Sequence, residues 1–179
     1  MFSLDKKSAT LDNLNLRAEK HGDETVPAAD LKVSMQASNL ILNAFDQSLR
    51  LAFWRRPGAG EQAELIDDDS HLTVLRFPKI KTIKYEHELK GCAVEIEYGL
   101  GGTSNILLQW CDVDKFTFDP LEGGSVNVAF RVKCRPTGDQ VARLYDLIQD
   151  DIVITITPPA PGTLTDEDAN EDDEETADA

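Results

Sequence analysis

Between Ser125 and Arg135 the chain reads Ser-Val-Asn-Val-Ala-Phe-Arg-Val-Lys-Cys-Arg, with a large apolar side chain at every second position. A period of two is the signature of a β-strand with one buried and one wet face. It recurs in Leu14, Leu16 and Ala18, in Leu31, Val33, Met35 and Ala37, in Ile83, Tyr85, His87 and Leu89, in Cys92, Val94, Ile96 and Tyr98, and again in Asp151–Thr157. Strands of this kind pair antiparallel, with one face on a core and the other in solvent. Lys90-Gly91 reads as the tight turn of a hairpin between 83–89 and 92–98, and Gly-Leu-Gly-Gly-Thr-Ser at 99–104 and Pro-Leu-Glu-Gly-Gly at 120–124 read as further turns.

Helical signals are few. Ser38 or Asn39 can cap a helical turn carrying Leu40, Ile41, Ala44 and Phe45, while Leu49, Leu51 and Phe53 also fit a period of two. Thr137 or Asp139 opens a second helix whose Val141, Leu144, Tyr145 and Ile148 form one stripe. No strand–helix–strand alternation calls for a parallel sheet. The expected fold is all-β or β-dominated α+β: an antiparallel sandwich or partly open barrel, OB-like barrels included, with one or two short helices. Residues 1–10 are expected to be flexible, 11–158 to form a single β-rich domain, and 159–179 to be a Pro/Gly linker and a disordered acidic tail. The polar stretch 57–70 is expected to be a long loop.

The tail carries Asp166, Glu167, Asp168, Glu171, Asp172, Asp173, Glu174, Glu175 and Asp178, nine of the chain's 33 acids, and no base. The net charge of −15 is therefore a poor guide to the domain: without the tail, 24 acids face 18 bases, or −6. A mildly acidic body is not a generally basic nucleic-acid binder, so a binding surface for nucleic acid has to be local. Cys92, Cys111 and Cys134 are odd in number, lack a CxxC spacing and lie in apolar strand patterns, which reads as buried free thiols. The N-terminus lacks the apolar core of a signal peptide, and no apolar run reaches the ~20 residues of a membrane span. A reducing cytoplasm, that of a host cell, is the expected setting.

Catalytic patterns are missing. His21, His71 and His87 sit in no recognisable motif; Asp-Asp-Asp-Ser-His at 67–71 lacks the spacing of a calcium loop, and 99–104 lies between strands rather than before a helix. The reading is a non-enzyme without metal or cofactor. Basic features stand out instead. Arg76, Lys79, Lys81 and Lys84 occur without an acid between them, with Phe77 and Tyr85 interleaved. Arg131, Lys133 and Arg135 share the outward face of one strand, ~7 Å apart, a ladder that successive phosphates can meet. Phe53-Trp54-Arg55-Arg56 sets aromatic rings beside guanidiniums, the groups that stack on unpaired bases. Each also has a plain reading as solvent-face charge or core.

The stretch Arg17–Arg55, together with Lys115–Pro136, resembles a group of small proteins encoded by tailed bacteriophages and prophages of Proteobacteria, in early regions near recombination and replication genes. The resemblance implies a phage accessory protein of DNA metabolism acting in the host cytoplasm. The acidic tail after a Pro/Gly linker is similar in layout to single-stranded-DNA-binding proteins, whose tails recruit partners and compete with DNA, although this tail ends Thr176-Ala177-Asp178-Ala179 without a docking hydrophobe. The expectation is a non-enzymatic binder of single-stranded DNA, working beside host or phage replication and recombination proteins, with the tail modulating access. The oligomeric state is open, a homodimer included, as is DNA against RNA. The rivals are an acidic protein-binding module, mimicking DNA or inhibiting a host defence or nucleic-acid enzyme, and a structural phage component.

Overall fold

The computed structural model describes residues 1–21, 24–58 and 72–160. Nine strands stand among them. β1 (Leu4–His21) and β2 (Glu24–Ser38) form a long hairpin. A 3₁₀ segment, Asn39–Ala44, and α1 (Gln47–Phe53) follow, then the two-residue strands β3 (Trp54–Arg55) and β4 (Val74–Leu75), which pair with each other. β5 (Ile83–Tyr85), β6 (Leu89–Ile96), β7 (Ile106–Pro120), β8 (Ser125–Cys134), α2 (Gly138–Asp146) and β9 (Asp151–Thr157) complete the chain.

Six of these strands close on themselves. β1 pairs with β2, β2 with β8, β8 with β7, β7 with β6, β6 with β9 and β9 with β1, each time antiparallel. The result is a closed barrel, one strand more than the five of an OB-fold. β5 lies outside the ring, on the β6 side of β7. The inward positions are those of the alternation: Leu31 and Val33, Val94 and Ile96, Val128, Phe130 and Val132, and Ile152, Ile154 and Ile156 are all buried. Closure pairs β7 with β8, while β1 beyond Thr10 is paired on the β2 side alone.

Several local expectations change. The first ten residues are not loose: Phe2 is fully buried, its ring 5.0 Å from Phe45 and 5.2 Å from Phe116, and this anchor lets β1 begin at Leu4. Lys90-Gly91 is not a turn. It lies inside β6 as a bulge, with Gly91 at φ +70°, because Leu89 faces Val113 while Cys92 faces Cys111. Hence β5 pairs with β7 instead of β6. Ser38 caps the 3₁₀ segment, and Thr137 caps α2 in a reciprocal box with Gln140. α2 ends at Asp146, with Leu144 buried and Tyr145 turned to solvent. The three cysteines are buried and free; burial pushes the Cys92 thiol up to about 11, and Cys111 is raised by its contact with Cys134 and by burial. Asp-Asp-Asp-Ser-His and the acidic tail lie outside the described residues.

Candidate nucleic-acid interface

Register places the basic residues. Lys84 of β5 faces Thr117 of β7, which faces Ala129 of β8; two residues on, Arg131 faces Asp114 and Lys133 faces Asp112. Residues directly opposite in a sheet point to the same side. Lys84, Arg131 and Lys133 therefore share the outer face of the barrel wall.

They do not share a state. Both oxygens of Asp114 accept from the Arg131 guanidinium, at 2.7 Å and 2.6 Å, and Asp30 accepts from it at 3.4 Å. The Lys133 ammonium lies 2.9 Å from Asp114 and 3.3 Å from Glu88, and Arg135 lies 3.4 Å from Glu19. Arg17 extends the network, bridging Glu19 and Asp30. Burial pushes the Asp114 carboxyl up, but the hydrogen bonds and charges of Arg131 and Lys133 outweigh it and hold the group below the ordinary carboxylate range. The hydrogen bond to Asp114 in turn raises both cations above their usual values. The expected phosphate ladder is thus a charge-neutral lattice: a phosphate approaching Arg131 or Lys133 has to displace a carboxylate.

Trp54 is also reassigned. It is fully buried, and its indole Nε1 donates to the Leu121 carbonyl at 2.9 Å, so no face is left for a base. The burial follows from β3, which turns the ring under the β7–β8 connection while Arg55 is half-buried and Arg56 faces solvent. Arg76 closes the end of α1, its Nε donating to the Leu51 and Trp54 carbonyls at 2.9 Å and 3.2 Å. The Tyr85 ring is half-buried edge-on to Phe45, 5.6 Å away.

What remains available is the segment before and through β5. Lys79, Lys81 and Lys84 are exposed, and no ion pair among the described residues engages them. Phe77 and Ile80, between and beside them, are 54% and 40% exposed. The stretch leads into a cleft of about 720 Å³ at the gap between the end of β5 and the start of β6. Lys84 and Lys115 line it together with the acids Glu86, Glu88 and Asp114, and Tyr85, His87 and Phe116 contribute aromatic surface. Lys115 takes φ +53° at a second bulge, where Asp114 faces Arg131 but Thr117 faces Ala129.

One residue escaped the sequence reading. Trp110 is 75% exposed at φ +55°, in a cleft of about 330 Å³ with Arg17, Lys133 and Arg135. Its signal is a broken period: the inward positions of β7 step by two from Ile106 to Leu108, then by three to Cys111. Among the described residues, no helix is long and apolar enough to cross a membrane. Compared with known proteins, the chain matches no family model, no curated protein and no solved structure.

Proposed function

We propose that this protein binds single-stranded nucleic acid without catalysing a reaction, through the lysines around β5, as an accessory of phage DNA metabolism. The observation that carries the reading is the contrast between two sets of cations on one molecule. Arg131, Lys133 and Arg135 are occupied by carboxylates, whereas Lys79, Lys81 and Lys84 stand exposed beside Phe77 and an aromatic-floored cleft. Exposed cations next to stackable rings are what sequence-tolerant single-strand binding uses. The phage setting comes from the resemblance alone.

Fluorescence anisotropy with a labelled oligonucleotide tests the proposal. Binding is expected at about 50 mM salt and should weaken steeply as salt rises, because phosphate contacts release counterions. Replacing Lys79, Lys81 and Lys84 together by Ala removes up to three such contacts, which makes the log–log salt slope shallower by about 2. No binding at low salt overturns the reading. The rival, a DNA mimic, needs ordered acids that project uncompensated charge: Asp30, Asp114 and Glu88 each hold a cation, whereas Glu86 and Asp139 are exposed outside any ion pair among the described residues, and the rival expects no binding of the oligonucleotide.

A further inference from the structure

We infer that Trp110 is a base-stacking platform, a second contact point for the same single strand that the β5 lysines engage. The inference rests on the nucleic-acid reading and extends its interface along β7. Three observations support it.

The first is exposure. An indole 75% open to solvent presents a large apolar face that folding does not use. The second is backbone strain. Trp110 takes φ +55°, a region that costs a bulky side chain of the order of 1 kcal/mol and that glycine occupies freely. The strain arises at a bulge: Cys92 faces Cys111 and Val94 faces Leu108, so β7 carries an extra residue against β6. Bulges re-aim side chains, and this one aims an indole at solvent. The third is its company. Arg17, Lys133 and Arg135 line the same cleft with Glu19 and Asp112, so cations stand beside the indole, each paired with a carboxylate that a phosphate would have to displace. The cleft lies on the outer face, since Asp112 and Lys133, register partners there, both line it. From Thr117, opposite Lys84, to Trp110 is seven residues of strand, or ~20 Å. One extended strand can touch both ends.

The two tryptophans make the test clean, because Trp54 is buried and Trp110 is exposed. The full-length protein is titrated with unlabelled oligothymidylate while emission and iodide quenching are followed, and affinities are measured in parallel by anisotropy. The accessible emission should be quenched along the binding curve and become shielded from iodide. Trp110→Ala should bind roughly five- to 150-fold more weakly, the loss expected for one stacked base. Trp110→Gly relieves the strained backbone, so it should lose the same affinity while its Tm holds or rises, which separates lost stacking from lost folding. Binding by anisotropy with unchanged tryptophan emission, or with unchanged affinity in both variants, overturns the inference and leaves the lysine-centred reading standing. No binding of the wild-type chain overturns both.

Discussion

Arg131 connects three strands through two carboxylates, Asp114 on β7 and Asp30 on β2, and its own side chain is only 22% exposed. Removing it leaves Asp114 beside Lys133 alone and Asp30 with Arg17, inside a half-screened wall. Arg131→Ala should therefore cost about 1–3 kcal/mol in urea unfolding, between an exposed pair and a fully buried one, while oligonucleotide affinity changes little. Lys84→Ala should do the reverse. The pH dependence has a definite sign. The Asp114 carboxyl lies lower in the folded than in the unfolded chain, so its contribution is present above the unfolded value of about 4 and is lost as pH falls through the folded one. Arg131→Ala should flatten stability against pH below about 4, a comparison that thermal melts can make. None of this was legible from Arg131 itself. The alternation placed it on a solvent face correctly, but which carboxylate stands opposite is a matter of register between distant strands. Trp54 shows the same limit: it is buried, where the Phe-Trp-Arg-Arg motif offered it as a ring to stack on bases.

Among the elements, the period of two named most of the strands; it failed at bulges, and also at Leu16 and Ala18, which are exposed where the β1–β2 hairpin runs on past β9. Lys90-Gly91 has turn chemistry, yet the chain runs straight on, because a glycine at positive φ serves a bulge as well as a turn. That one substitution of roles moves β5 from β6 to β7 and opens the cleft between them. The turn at Pro120–Gly124 was read correctly, and it makes a second demand that sequence does not reveal. Gly123 and Gly124 both take left-handed backbone, φ +81° and +79°, but only Gly124 is crowded: a Cβ there would stand 2.9 Å from the Leu72 carbonyl oxygen. That carbonyl accepts from Asn39, a buried polar residue held in turn by Arg50. Gly123→Ala should cost about 1–2 kcal/mol, the strain of the backbone alone. Gly124→Ala should cost measurably more, because the β4 segment has to shift as well; equal losses in urea unfolding would remove the packing account.

At the scale of the molecule, an acidic chain presents local cations, and the question is how a polyanion approaches it. β9 ends at Thr157, which faces Ala93 of β6, and Ala93 lies between the two residues that flank the Trp110 bulge. β9 thus ends about two strand spacings, ~10 Å, from Trp110, and Asp166, the first acid of the tail, follows nine residues later in the sequence. On the proposed reading, nine acids tethered to the end of β9 would compete with a nucleic acid for this surface. A full-length variant with Asp166, Asp168, Asp172, Asp173 and Asp178 changed to Asn, and Glu167, Glu171, Glu174 and Glu175 to Gln, keeps the chain length and brings the net charge from −15 to −6. It should bind oligonucleotide more tightly than the wild type at low salt. The advantage should shrink as the screening length falls from about 30 Å at 0.01 M to about 3 Å at 1 M, because the competition is electrostatic. A docking tail would behave differently, since specific contacts outlast screening and the advantage would persist at high salt. Equal affinities at low salt would mean that the tail does not compete for this surface, and its charge would then act on the solubility of the chain rather than on what the barrel binds.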